Sequence, residues 1–317
     1  MTPWNLSQWV PNSVRLAAEA LWRAGWCLVG GIAAGVAMLL SPPALATLVS
    51  IGPDAGFVGR SLSSLSSPAP IASLGDGSLA FNGGLVFDAG SSRLSGIAND
   101  STGNSQLYSF TAAGGGLTAL GSGLGQGFYG GLAENPVTGQ LYAVADDVFG
   151  SATLYAISSA GTATALAAIG NGYYGGLAWA EGKLYAMAGD ALGVQRDVYA
   201  IDLVTVTASL LFSLGDDSVG FNGGLAYDDV ADLFYSIGDD GLGNSALYAF
   251  TAGGAGGDLT AIGAPFGQGF VNAGLAIVPA DQVPPPPLLP EPPTLALLAL
   301  ALGLVRLGQT ARRRNFT

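Results

Sequence analysis

One five-residue phrase returns along this chain at a nearly fixed interval. It reads FNGGL at 81–85, FYGGL at 128–132, YYGGL at 173–177, FNGGL at 221–225 and VNAGL at 271–275. Its leucines, Leu85, Leu132, Leu177, Leu225 and Leu275, are spaced 47, 45, 48 and 50 residues apart. Other marks travel with it. Asp100, Asp147, Asp190 and Asp240 follow the next apolar run, and Gly103, Gly150, Gly193 and Gly243 stand three residues beyond them. An apolar–Tyr pair then opens a third run, and a fourth closes as LTALG, LAAIG, LFSLG or LTAIG. In the best-formed copy the runs are Phe221 to Tyr227, Leu233 to Ile237, Ala246 to Phe250 and 259–262. Short aromatic and β-branched runs bounded by Gly, Asp and Asn are strands joined by tight turns.

Four short strands per 45–50 residues is the period of a β-propeller blade. A blade alone cannot bury both faces. Stacked around an axis, blades bury each other, which accounts for strands that are apolar throughout rather than alternating. Glycine before the first strand fits an innermost position, where backbones crowd the axis. The ends of the array fix the blade count. The copy at 271–279, VNAGLAIVP, has a first strand and stops. Residues 47–75 supply the rest: a second strand with its turn (TLVSIGPDAG, Asp54 in the place of Asp240), a third at Arg60 to Leu65 and a fourth in PIASLG. The expectation is an all-β, five-bladed propeller over 47–280, closed by its own N- and C-terminal strands, with a signal helix before it and a transmembrane helix after it. Closure leaves no open edge for the ring to protect.

The chain carries a net charge of −12, and only 10% of its residues are charged. Between residues 47 and 289 there are 20 acidic residues against four basic ones, Arg60, Arg93, Lys183 and Arg196. Phosphate binding needs clustered Lys and Arg, so this composition excludes a nucleic-acid partner. Cations or neutral polymers suit such a surface, and an acid bias also simply keeps an exported protein soluble. There is no histidine, and the single cysteine, Cys27, lies in the leader. Ser-His-Asp hydrolases, His-ligated zinc and His-held haem are thereby excluded.

In a four-stranded blade, the turn between strands two and three and the lead-in to strand one emerge at one end. That end should gather Asp54, Asp100, Asp147, Asp190 and Asp240, with Asn82, Tyr129, Tyr174, Asn222 and Asn272 nearer the axis. Each set has two readings. Ringed carboxylates suit Ca2+, and aromatic faces with amide edges suit a neutral sugar. Equally, Asp caps its own turn while the following Gly accepts a positive φ. The pairs Asp146/Asp147, Asp216/Asp217 and Asp239/Asp240 favour cation sites, though none has EF-hand spacing. Paired carboxylates also suit a glycosidase, yet a residue present in every blade serves a scaffold or a multivalent surface. The glycines at 120–127 are no phosphate loop, because no Lys follows them.

Residues 1–46 read as a secretory signal peptide. Arg15 and Arg23 precede an apolar stretch from Trp26 to Leu40, Pro42 and Pro43 break any helix, and Ala44-Leu45-Ala46 fits a small-residue cleavage site. An uncleaved anchor is the alternative, against which the stretch is short for a membrane span.

Beyond residue 280 the composition changes. Residues 281–289 are a proline-rich linker. Pro290-Glu291-Pro292 follows, then the apolar stretch TLALLALALGLV at 294–305, and a cluster of Arg312, Arg313 and Arg314. These features in this order resemble the PEP-CTERM sorting signal of Gram-negative bacteria, over 290–314. The resemblance implies recognition of Pro290, Glu291 and Pro292 by an exosortase, a membrane transpeptidase. It further implies anchoring in the inner membrane before processing, then delivery to the cell surface or exopolysaccharide. Arg306 departs from the pattern by interrupting the apolar stretch. The terminal arginines by themselves predict that this end stays cytoplasmic, and a plain unprocessed anchor is the alternative. The functional expectation is a non-enzymatic surface or matrix protein that binds, with exopolysaccharide as a fitting ligand. The alternatives are an extracellular enzyme acting on polysaccharide through Asp and Glu, and a Ca2+-stabilised structural module.

Overall fold

The computed structural model describes residues 47–53, 59–65, 67–147, 149–172, 175–189, 194–215, 218–221, 223–240, 242–253, 259–268, 270 and 274–284. These residues form strands, bends and turns. None of their elements is a helix long and apolar enough to cross a membrane. The expected signal peptide and sorting signal, with their helices, lie outside the described residues.

The described residues start with β1 (Thr47–Pro53), β2 (Gly59–Ser64) and β3 (Ser67–Ser73). Blade 2 is β4 (Ala80–Asp88), β5 (Arg93–Asn99), β6 (Asn104–Phe110) and β7 (Thr118–Gln126). Blade 3 is β8 (Leu132–Asn135), β9 (Gln140–Asp146), β10 (Ser151–Ile157) and β11 (Ala163–Asn171). Blade 4 is β12 (Leu177–Ala180), β13 (Lys183–Gly189), β14 (Gln195–Asp202) and β15 (Thr207–Ser213). Blade 5 holds β16 (Val219–Gly220), β17 (Leu225–Asp228), β18 (Leu233–Asp240), β19 (Asn244–Phe250) and β20 (Thr260–Gln268). Last comes β21 (Leu275–Val278), which pairs antiparallel with β1, Thr47 opposite Val278 and Ser50 opposite Leu275. The order β21-β1-β2-β3 makes blade 1, so the ring closes through its two ends as the repeat predicts.

Two details differ from the sequence expectation. The run from Phe221 to Tyr227 is not one strand: β16 pairs before it, β17 resumes at Leu225, and Gly224 between them has φ 94°. The outer strands β7, β11 and β20 also run past the expected LTALG-type ending. The glycines of 121–126 stay within β7, where Gly121, Gly123 and Gly125 take positive φ and the pairing with β6 shifts register between Ser105 and Leu107. Glycine permits that local kink without ending the strand.

Apolar clusters occupy the blade interfaces. Val49 and Ile51 of blade 1 meet Phe81 and Leu85 of blade 2. Val144 and Leu154 meet Leu177 and Leu184 across the next interface but one. Val198 and Met187 meet Phe221 and Phe234 beyond that. Each such side chain contributes about 1.5–3 kcal/mol on full burial, and the large buried residues recur at matching positions (Phe81, Phe128 and Phe221).

The repeated glycine-leucine pair has a geometric cause. A β-carbon on Gly84 would stand 2.2 Å from the Leu132 backbone nitrogen, and one on Gly131 2.4 Å from that of Leu177. The series continues with Gly176 against Leu225 at 2.5 Å and Gly274 against Leu85 at 2.6 Å. Backbone meets backbone from blade to blade around the axis, and Gly84 and Gly131 have φ of 102° and 99°. Only glycine meets both demands.

Candidate functional site

The strand two–three turns behave alike where described. Asp100 Oδ1 accepts from the Thr102 and Asn104 backbone N–H groups at 2.8 and 3.0 Å. Asp147 Oδ1 accepts from Phe149 and Ser151 at 2.8 and 2.9 Å. Asp240 Oδ1 accepts from Leu242 and Asn244 at 2.8 and 2.9 Å, and Asn244 Nδ2 donates to its Oδ2. At Asp100 and Asp240 these bonds stabilise the ionised form. The Thr102 hydroxyl and the Asn104 and Thr102 amides hold the Asp100 carboxyl down at about 2, and the Asn244 side chain and amide lower that of Asp240. Asp54 and Asp190 lie outside the described residues. Among the described residues no group of three or more Cys, Asp or Glu is placed to hold a metal ion.

Asn82 and Tyr129 stand at the same end of the ring. The Asn82 side-chain oxygen accepts from Asn99 Nδ2, and Asn99 in turn accepts from Ser105 Oγ at 2.5 Å. The Tyr129 hydroxyl lies by the Asp100 turn, 3.7 Å from where a β-carbon on Gly103 would sit. Tyr174, Asn222 and Asn272 lie outside the described residues.

The residue before each turn aspartate varies. Asn99 is bonded by Ser105, and Asp239 accepts from Ser245 Oγ. Asp146 faces Ala152 across the same register, and neither of its buried carboxyl oxygens has a hydrogen-bond partner. Burial, then the charge of Asp147, pushes its carboxyl up to about 7. Burial also raises Asp239, while the Ser245 bond pulls the other way.

The opposite end of the ring carries an axial funnel of about 890 Å³. Its deepest residues are the five repeat leucines. Two residues above them, strand one of each blade contributes Phe87, Glu134, Trp179, Tyr227 and Ile277, each partly exposed. Four of these wall residues are apolar or aromatic and one is an acid. Burial, then the charge of Asp88, raises the Glu134 carboxyl to about 7. Asp88 itself is engaged in its own turn, accepting from Gly90 N–H at 2.8 Å and Ser91 Oγ at 2.6 Å.

Four of the wall residues share an apolar cluster with strand two of the preceding blade. Trp179 stacks on Tyr142, rings 6.0 Å apart at 14°. Tyr227 and Tyr185 both pack on Phe234, at 4.9 Å. Ile277 shares a cluster with Tyr235, and Phe87 with Val49. At the same register of blade 2 stands Ser95, and beside it the seam between blades 2 and 3 opens into a second cavity of about 960 Å³. Glu134 lines both cavities.

The expected ligand face and the axial funnel are therefore at opposite ends of the ring. A smaller depression of about 460 Å³, beside Asp100, Tyr108 and Gln106, accompanies the former. The funnel residues were open to sequence reading in one respect: Glu134 and Ser95 break the pattern at positions that are otherwise apolar or aromatic.

No family model matches the chain, and no curated protein matches it. Solved structures resemble it in fold. A structural genomics protein of unknown function from Bacteroides thetaiotaomicron is 18% identical at TM-score 0.42, over 70% of this chain and 50% of that one. TolB from Acinetobacter baumannii is 11% identical at TM-score 0.45, over 68% and 52%. An engineered GH43 glycoside hydrolase with endo-xylanase and exo-arabinofuranosidase activity is 10% identical at TM-score 0.46, over 61% and 41%. The chain spans about half the length of these proteins. At such distances they speak neither for nor against an enzymatic role. The class of protein is a five-bladed propeller, established by the chain's own strand pairing.

Proposed function

We propose that this chain is an exported propeller that binds a neutral glycan in its axial funnel without cleaving it. The observation that carries the reading is the funnel wall: Trp179, Tyr227 and Phe87 offer ring surface, and Glu134 sets a carboxyl at the same register, with Asp88, Glu181 and Asp229 also lining the funnel. Pockets of this size with apolar walls and a few convergent polar groups are the ordinary form of a small-ligand site. Sugar rings present C–H faces to aromatic rings and hydroxyls to a carboxyl. A protonated Glu134 both donates and accepts. The acid-rich surface repels polyanions and leaves neutral chains unopposed. Pro290, Glu291, Pro292 and the arginines at 312–314 support sorting by an exosortase-type enzyme to the cell surface or exopolysaccharide, after removal of a signal peptide ending at Ala46.

The raised carboxyl of Glu134 also favours a second reading, in which it acts as the general acid of a glycosidase. That chemistry needs a second, unencumbered carboxylate. Asp88, the acid whose charge Glu134 feels, has both oxygens occupied by Gly90 and Ser91, but Glu181 and Asp229 also line the funnel; the ring surface of the wall favours binding, and turnover decides between the two readings. The test is a neutral-oligosaccharide array with the full-length protein, followed by a reducing-end assay on each bound glycan. Binding without release supports the proposal. Release that disappears in Glu134→Gln replaces it with the enzymatic reading.

A further inference from the structure

We infer that the ligand is an extended neutral glycan chain, which leaves the funnel through the polar seam between blades 2 and 3. The inference rests on the funnel reading and adds a length, a direction and a second subsite to it.

The seam exists because one interlocking pair is missing. At four interfaces the wall residue of one blade shares an apolar cluster with an apolar or aromatic residue on strand two of the blade before it. The pairs are Phe87 with Val49, Trp179 with Tyr142, Tyr227 with Tyr185, and Ile277 with Tyr235. At the remaining interface the pair is Glu134 with Ser95. A tyrosine replaced by a serine removes a ring's volume at the lip of the funnel. The cavity left there adjoins the funnel: Asp88, Glu134, Thr138 and Gly139 line both.

The two cavities differ in chemistry. The funnel is walled by rings, whereas the seam is lined by hydroxyl and amide side chains, among them Ser95, Ser109, Thr118 and Gln140. Arg93 is fixed within it: its Nε donates to Ser109 Oγ and its Nη2 to the Gly116 carbonyl, both at 2.7 Å. Gln140 is fixed likewise by bonds to the Leu141 and Ile157 carbonyls at 2.9 and 2.8 Å. Polar side chains held in place bind at low entropic cost. One guanidinium faces two carboxyls, Asp88 and Glu134, so the seam offers no net attraction for a polyanion. A ring-walled terminus that continues into a hydroxyl-lined channel matches a polymer of uncharged sugars, with one end unit in the funnel and the following units in the seam.

The experiment measures affinity for neutral gluco-, xylo- and manno-oligosaccharides of one to six units by calorimetry, on the full-length protein. Affinity should rise at least tenfold from one unit to four. Ser95→Tyr, which restores the ring found in blades 3, 4 and 5, should abolish that gain and leave single-unit binding in place. Ser159→Trp on the exposed outer rim of the seam makes the same test without touching packed residues. Flat affinity with length, or a gain that survives both variants, overturns the seam proposal alone. No binding of any probe overturns the funnel reading and the seam with it.

Discussion

The two ends of the ring are made from the same five copies and do different things. At the strand two–three end, the residues that recur spend their polar atoms on themselves: Asp100, Asp147 and Asp240 each bond the amides of their own turn. At the strand one–two end, a single register holds Phe87, Glu134, Trp179, Tyr227 and Ile277, all different, around an open funnel. In a repeat protein, recurrence identifies what every blade needs to fold. A binding surface has one ligand and one orientation, so it is written in the positions where the blades disagree.

The largest effect should come from breaking what both ends share. Gly131→Ala puts a β-carbon 2.4 Å from the Leu177 nitrogen at a φ of 99°. Loss of about 4 kcal/mol or more, or of cooperative unfolding altogether, is expected in a thermal melt. An unchanged melting temperature would show that the blades do not abut at the axis.

The pH dependence of stability separates the acids by sign. Asp146 and Glu134 are raised to about 7 from ordinary values of 3.8 and 4.5. The native state holds protons there that the unfolded chain has released, so stability falls as pH climbs from the unfolded values through 7, then levels off. Asp100 is lowered to about 2, so its contribution is lost as pH falls from 3.8 toward 2; Asp240 is lowered as well, and its contribution likewise disappears below 3.8. Calorimetric melts should peak between these limbs, in mildly acidic buffer. Glu134→Gln and Asp146→Asn should flatten the upper limb, and Asp100→Asn the lower one. A melting temperature that rises steadily from pH 4 to 8 would contradict the assignment.

A smaller effect tests Asp146, the member of the strand-two series with neither carboxyl oxygen bonded among the described residues. Ala152→Ser gives Asp146 the hydroxyl that Ser105 gives Asn99 and Ser245 gives Asp239. A gain of about 1 kcal/mol in denaturant melts is expected. A loss would mean the carboxyl points elsewhere.

Much of the architecture was written plainly. The spacing of the five leucines predicts the blades, and the half-copies at 47–75 and 271–279 predict the closure that β1 and β21 perform. Glycine at the axis was legible from crowding alone. The longer outer strands were not, because glycine-rich text such as 121–126 reads as loop unless its register with β6 is known. The funnel was less legible for a different reason. Alignment of the copies draws attention to matches, and Asp240 with its counterparts is the most conspicuous of them. Glu134 and Ser95 carry their meaning only as mismatches, and their meeting at one seam needs the blade order in space as well as in sequence.

The proposed funnel site is tested most directly by removing one ring from each end of the propeller. Trp179→Ala and Tyr129→Ala remove one aromatic ring from each end, and both should be titrated with the same neutral oligosaccharide by calorimetry. Loss of a ring contact and its buried area corresponds to about tenfold in affinity. The prediction is that loss for Trp179→Ala and unchanged affinity for Tyr129→Ala. The reverse pattern would place the ligand among Asn82, Tyr129 and the turn aspartates, and would contradict the funnel.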